Sequence, residues 1–121
     1  MAKRREKSNP RIGKLIDELK AASRKTGARV WLDVAKRLSG PTRRYAEVNV
    51  SRINRHTSDG DVIVVPGVVL GAGTIEHSVK VGALRFSQSA MEKIEQAEGV
   101  CMSIEQLLEH NPEGRNVRVF R

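Results

Sequence analysis

Cysteine is almost absent from this chain, since Cys101 is the only one among its 121 residues. A single cysteine cannot form an internal disulfide, and no CxxC pair provides the ligand spacing of a zinc site. The three histidines, at positions 56, 77 and 110, are scattered and add no metal-ligand spacing. We therefore expect no metal and no disulfide framework, and the low cysteine content indicates a reducing cytoplasm.

Apolar runs long enough to cross a membrane are also missing. No stretch approaches the roughly 18 uncharged apolar residues of a membrane helix, and no apolar segment follows the charged opening MAKRREKSNP, as a secretory signal would require. We expect no membrane partner and a single domain over residues 1–121. Within it, residues 1–8 are predicted to be a flexible basic arm, 9–56 a basic helical region and 57–121 a mixed strand and helix core.

The sequence lacks a constellation of residues that would indicate catalysis. In the glycine segment Gly71–Gly73, Glu76 stands where a dinucleotide fingerprint needs a small residue, and no Lys-Ser or Lys-Thr pair follows as in a P-loop. The carboxylates of the second half are not paired with a nucleophile. We therefore expect no enzyme, no cofactor and no small-molecule substrate.

Acidic residues are scarce in the first half of the chain. Residues 1–56 contain 16 Lys and Arg against 5 Asp and Glu, a net charge of +11, whereas residues 57–121 contain 6 against 9, a net charge of −3. The overall charge of +8 and the pI of about 10.3 indicate an anionic partner, most often a nucleic acid. The uneven distribution indicates that the first half contacts phosphates.

The candidate RNA-binding residues form two groups, and arginine predominates in the second, as is typical of bidentate phosphate contacts. The first group consists of Arg4, Arg5, Lys7, Arg11 and Lys14, and the second of Arg43, Arg44, Asn49, Arg52 and Arg55. Aromatic residues make up only 3% of the chain, too few for a platform of stacked bases. Recognition is therefore expected to rest on phosphates and RNA shape.

One alternative is a basic DNA-binding or chromatin protein that uses a helix-turn-helix-like pair. Residues 9–27 read as a helix that begins with the cap Asn9 and Pro10 and ends at Thr26-Gly27, and a second helix is predicted over residues 30–38. A DNA-reading helix presents polar side chains at its start. Here that start is Val30-Trp31-Leu32, which weakens the DNA-binding alternative.

The only long apolar stretch, residues 61–84, predicts the centre of an α/β fold. Val and Ile favour strands over residues 62–65 and 79–86, and Pro66–Gly73 is predicted to be a tight connection between them. Around this centre we predict a strand over 47–50 and a helical turn capped by Ser51. Later we predict a helix starting from a Ser89–Glu92 capping box, a helix starting from a Ser103–Gln106 box, and a strand over 116–120.

Several longer motifs resemble one family along nearly the whole chain. They are NPRIGKLIDELKAASR near the start, VWLDVAKRL, AEVNVSRI (46–53), VVPGVVLGAG (64–73) and NPEGRNVRVFR (111–121). The sequence resembles the archaeal type of the large-subunit ribosomal protein eighteen ("eighteen-e") family, which is related in core fold to bacterial large-subunit ribosomal protein fifteen.

The resemblance implies an irregular β-β-α superhelix core with a basic helical N-terminal region. It also implies a structural role in the large ribosomal subunit, with large-subunit rRNA and neighbouring large-subunit ribosomal proteins as partners. The RNA contacts it implies fall on Arg43, Arg44, Asn49, Arg52 and Arg55, and on the basic arm from Arg4 to Lys14.

Overall fold

The computed structural model describes residues 9–121, so the predicted basic arm over residues 1–8 lies outside the described residues. In the described part, five helices and five strands confirm the predicted α/β class and its N-terminal helical pair. In chain order they are α1 (Pro10–Thr26), α2 (Arg29–Ser39), β1 (Ala46–Asn49), α3 (Val50–His56), β2 (Asp61–Leu70), β3 (Val79–Phe86), α4 (Gln88–Gln96), β4 (Val100–Ser103), α5 (Ile104–His110) and β5 (Val117–Val119).

The strands form one parallel sheet centred on β2. The main order is β1-β2-β3-β4, and β5 also pairs with β2. β3 runs along one edge of β2, while the other edge is shared by β5 against residues 62–64 and by β1 against residues 67–70. The central strand therefore has neighbours on both edges, and the two neighbours on one edge are the first and the last strands in chain order.

The predicted end of the central strand at Val65 was wrong. β2 continues through Pro66 and Gly67 to Leu70, and the predicted connection shifts to residues 71–78. Proline cannot donate a backbone hydrogen bond, so it is usually confined to edges and irregular positions of a sheet. Here the pairing with β3 is irregular between Val65 and Val68, and on the other edge Pro66 falls between the segments paired with β5 and β1.

Helices cover both faces of the sheet. On one face, α1, α2 and α5 bury Leu15, Trp31 and Leu107 against Val64. On the other face, α3 and α4 form a second apolar cluster against the sheet, which also contains Phe120. Successive residues of a strand point to opposite faces. Burial on both sides therefore explains why β2 is apolar almost throughout, as is typical of parallel sheets.

The helix starts follow the predictions only in part. Asn9 caps α1 by accepting a hydrogen bond from the Arg11 amide at 2.9 Å, and Gly27 ends the helix with a φ of 78°. The Ser103–Gln106 capping box of α5 is also confirmed. The predicted Ser51 cap was wrong, because α3 follows β1 directly and Ser51 already lies inside the helix.

The predicted Ser89–Glu92 capping box was also wrong. The Oγ atom of Ser87 accepts the hydrogen bond of the Ala90 amide at 3.2 Å, so α4 begins two residues earlier. Glu92 instead accepts a hydrogen bond from the Gln88 side chain at 3.1 Å. Strand β4 was not predicted, since its four residues carry no recognisable alternation.

No helix within residues 9–121 combines the length and the apolar character that crossing a bilayer demands. Over the same residues, no group of three or more histidine, cysteine or acidic side chains is arranged to hold a metal ion.

Candidate nucleic-acid interface

Arg43 and Arg44, which we call the turn arginines, lie on a short 3-10 turn between α2 and β1. The turn is fixed by backbone hydrogen bonds from Arg44 to Pro41 at 2.9 Å and from Tyr45 to Thr42 at 3.0 Å. The Tyr45 hydroxyl also donates to the Leu38 carbonyl oxygen at 2.7 Å, which ties the turn to α2. Both arginines are exposed, and neither forms an ion pair within residues 9–121. A fixed turn therefore presents two adjacent guanidinium groups to solvent.

A groove of about 430 Å³ lies beside Arg43 and will be called the Arg43 groove. It is formed by the start of α1, the turn that carries the turn arginines, and the adjoining parts of β1, β2 and β3. Its residues are Asn9, Arg11, Ile12, Thr42, Arg43, Tyr45, Ala46, Glu47, Gly67, Val68, Leu84 and Arg85. Arg85 was not among the predicted site residues. It is isolated in the acidic half of the sequence, and only the pairing of β3 with Val68 brings it near the turn.

Arg11 also lines the groove, but its side chain has internal partners. Its Nε and Nη2 atoms donate to the two carboxylate oxygens of Glu105 at 2.8 and 3.0 Å, and Nη1 donates to the Leu84 carbonyl oxygen at 3.1 Å. The hydrogen bonds from Arg11 lower the pKa of Glu105, and the same contact raises the pKa of Arg11. Arg11 therefore joins α1 to α5 and β3. Lys14, a predicted contact on the next turn of α1, is exposed.

Asn49 likewise has an internal partner. Its Oδ1 atom accepts a hydrogen bond from the Ala72 amide at 3.0 Å, and the Ala72 carbonyl oxygen accepts one from the Ser51 amide at 3.2 Å. Lys93 also holds this segment, since its Nζ donates to the carbonyl oxygens of Gly71 and Gly73, both at 2.6 Å. Asn49 thus helps to hold the glycine segment that follows β2.

A second cationic surface lies around Phe120 and the end of α3 and will be called the Phe120 cluster; its cations are Arg52 and Arg55 of α3 and Arg118 of β5. The guanidinium carbons of Arg52 and Arg118 lie 5.9 and 5.4 Å from the Phe120 ring centroid, within the range of cation–π contacts. Arg118 also has internal partners, since Nη2 donates to the His56 carbonyl oxygen at the end of α3 at 2.8 Å and Nη1 forms an ion pair with Asp61 at 3.5 Å. Arg55 lies in the last turn of α3 and is exposed.

The two cationic surfaces lie on opposite faces of the sheet. Leu84 of the Arg43 groove packs with the α1, α2 and α5 cluster, whereas Phe120 belongs to the α3 and α4 cluster. The predicted second group of residues is therefore divided between two surfaces. Arg118, which was not predicted, completes one of them. Sequence clustering could not reveal it, because 62 positions separate it from its partner His56.

The comparison with known families covers the whole chain. Residues 1–121 match the family described as "Ribosomal protein 60S L18 and 50S L18e". The chain belongs to this family. Similar relatives, each called "Large ribosomal subunit protein eL18", occur in Methanoregula boonei (53% identical, covering 96% of both chains), Methanosphaerula palustris (50% identical, covering 100% of both) and Haloarcula marismortui (50% identical, covering 95% of this chain and 98% of the relative).

Membership of the L18/L18e family confirms the resemblance seen in the sequence and the expectation that the chain is not an enzyme. It also decides against the DNA-binding alternative. The start of α2 is unsuited to reading DNA, because Trp31 is fully buried and its Nε1 donates to the Pro112 carbonyl oxygen at 2.9 Å.

Proposed function

We propose that this L18/L18e family member, a structural component of the large ribosomal subunit, binds large-subunit rRNA through two arginine surfaces, one on each face of its sheet. The turn arginines and Arg85 form one surface, and the Phe120 cluster forms the other. The observation that carries the proposal is the exposure of Arg43 and Arg44 on a turn fixed by hydrogen bonds, without an acidic partner in the described part of the chain.

The binding mechanism is electrostatic. Each guanidinium that contacts a phosphate releases condensed counterions, so the affinity should fall steeply as salt rises. Arginine suits this task because its planar group can donate two parallel hydrogen bonds to one phosphate. A turn that is already fixed before binding loses less conformational entropy on forming these contacts.

The remaining site residues stay predictions. The basic residues of the arm (Arg4, Arg5 and Lys7), together with Lys14 of α1, are proposed as further RNA contacts. Arg11 and Asn49 already form internal hydrogen bonds, so any contact that they make with RNA would be additional to these bonds. Neighbouring large-subunit proteins are the second class of proposed partner. For the architecture, we still expect a single domain arranged as an irregular β-β-α superhelix.

The test is the double variant Arg43→Ala/Arg44→Ala. Its affinity for large-subunit rRNA should fall by about tenfold or more, because each lost phosphate contact weakens binding and lowers the salt slope by about 1. Binding is measured over a salt series, with a length-matched unrelated RNA and a DNA duplex as competitors. The control variant Arg24→Ala/Lys25→Ala removes the same charge from the exposed last turn of α1.

The thermal unfolding of the double variant should match that of the unchanged protein, since both side chains are exposed on a turn. An equal loss of affinity in the control would show that only total charge matters and would overturn the assignment to the turn. A preference of the unchanged protein for duplex DNA over rRNA would overturn the proposed function itself.

A further inference from the structure

We propose that the Arg43 groove receives one unstacked rRNA nucleotide, whose phosphate lies between Arg43 and Arg85 and whose base edge donates hydrogen bonds to Glu47. This inference rests on the proposed function and deepens it. It adds recognition of a base to binding that would otherwise depend on phosphates alone.

The shape of the groove suits a single nucleotide. Its volume of about 430 Å³ lies within the range of roughly 300–1,000 Å³ that is usual for small-molecule sites. Ile12, Val68 and Leu84 provide apolar surface along which a base can lie. Gly67 contributes only backbone to the wall of the groove, and a Cβ atom at this position would collide with the Ala46 carbonyl oxygen.

The cations of the groove differ in their availability. The Arg11 guanidinium is occupied by Glu105 and the Leu84 carbonyl oxygen. Arg43 and Arg85 are exposed, and within residues 9–121 neither has an ion-pair or hydrogen-bond partner for its side chain. Two available guanidinium groups beside one groove are the arrangement expected for a phosphate.

Glu47 argues for a base in addition to a phosphate. It lies on β1, is exposed, and forms no ion pair in the described part of the chain, although Arg43 and Arg85, whose side chains have no partner there, line the same groove. A carboxylate would weaken a site that bound phosphate alone. It is an acceptor, however, and the Watson–Crick edges of guanine, adenine and cytosine present N–H donors. Unpaired RNA bases are commonly recognised through such edges.

The variant Glu47→Gln tests the proposal, because the two interpretations of Glu47 predict opposite changes in the affinity for rRNA. If Glu47 only repels phosphate, removing its charge should tighten rRNA binding. If it accepts hydrogen bonds from a base, the same change should weaken binding by about tenfold, the order expected for one good base contact. The matched control Glu98→Gln removes one negative charge from an exposed residue in the turn after α4, on the other side of the sheet.

Affinity is measured with a large-subunit rRNA transcript at one fixed salt concentration. Chemical probing of Watson–Crick edges on the same complexes then identifies the bound nucleotide. We expect one unpaired nucleotide to be protected by the unchanged protein and by Glu98→Gln, and to become reactive with Glu47→Gln. Arg85→Ala should lower the affinity, whereas Arg115→Ala, which removes an exposed arginine paired with Glu113, should not.

Binding by Glu47→Gln that equals or exceeds that of the unchanged protein would overturn the nucleotide site and leave the proposed function intact. If the nucleotide were protected equally by the wild-type protein and by Glu47→Gln, the nucleotide site would likewise be overturned and the proposed function would stand. Failure of the unchanged protein to prefer rRNA would instead overturn the proposed function.

Discussion

Gly67 allows the close approach of β1 to β2 and also lines the Arg43 groove. Ala46, the first residue of β1, lies so close that a Cβ atom on Gly67 would overlap its carbonyl oxygen. The close approach of two backbones, rather than a positive φ angle, therefore requires glycine at this position. At Gly73 the requirement is different, since its φ is 88° and Ser51 fills the space beside it.

The variant Gly67→Ala should lower the free energy of unfolding by about 3 kcal/mol, because the added methyl group must push β1 away from β2. Gly13→Ala is the matched control. Gly13 lies within α1 with open space around its Cα, so alanine should raise stability by about 0.5–1 kcal/mol. Urea unfolding of both variants measures the difference. Equal stability of Gly67→Ala and the unchanged protein would show that β1 moves freely.

Individual arginines also show what the sequence could and could not predict about the site. Arg43 and Arg44 are adjacent and follow a helix-ending Gly-Pro pair, so their exposure could be predicted from local signals. Arg11 looks equally available in the sequence, because its partner Glu105 is 94 positions away. Contacts between distant positions leave no local pattern, and the isolated Arg85 was missed for the same reason.

Among the elements, α1 and β3 were predicted well from local signals. The start and end of α1 follow from Asn9, Pro10 and Gly27, and β3 has the predicted bounds Val79–Phe86. The length of β2 could not be predicted, because the tolerance of Pro66 depends on which strands lie on either side of it. Strand β4 forms from only four residues and depends on its pairing with β3.

The start of α4 provides a prediction at the scale of an element. Ser87→Ala should lower the free energy of unfolding by about 1 kcal/mol, since it removes the acceptor of the Ala90 amide. Ser89→Ala serves as the control and should change stability by only a few tenths of a kcal/mol, because Ser89 lies inside the helix. Thermal unfolding of both variants distinguishes a helix capped by Ser87 from one capped by Ser89. A larger loss with Ser89→Ala would contradict a start at Gln88.

At the scale of the whole molecule, the ion pair between Arg11 and Glu105 connects the N-terminal helical pair to the second half of the chain. Hydrogen bonds from Arg11 hold the pKa of Glu105 below its ordinary value of 4.5. A carboxylate with a lowered pKa in the folded state stabilises the fold above its ordinary pKa. This stabilisation is lost as the pH falls below about 4.5 toward the lowered value.

The variant Arg11→Ala should therefore lose about 1 kcal/mol of stability at pH 7, because the ion pair is only partly buried. Below pH 4.5 the stability difference between Arg11→Ala and the wild-type protein should shrink. Protonation of Glu105 weakens its contact with Arg11 in the wild-type protein, so less remains for the substitution to remove. Urea unfolding at pH 7 and pH 3 measures both values, with Arg24→Ala as the control. A difference that stays constant between the two pH values would contradict the role of Glu105.

The position of β5 has a consequence for the synthesis of the chain. The edge of β2 at residues 62–64 is completed only by residues 117–119, and the Phe120 amide then donates to the Val64 carbonyl oxygen at 2.9 Å. Because synthesis proceeds from the N-terminus, the apolar faces of α1 and α2 are made long before the finished sheet can cover them. During that interval the net charge of +11 on residues 1–56 opposes self-association of the growing chain. The basic residues proposed to bind RNA would thus also keep the nascent chain soluble during its synthesis.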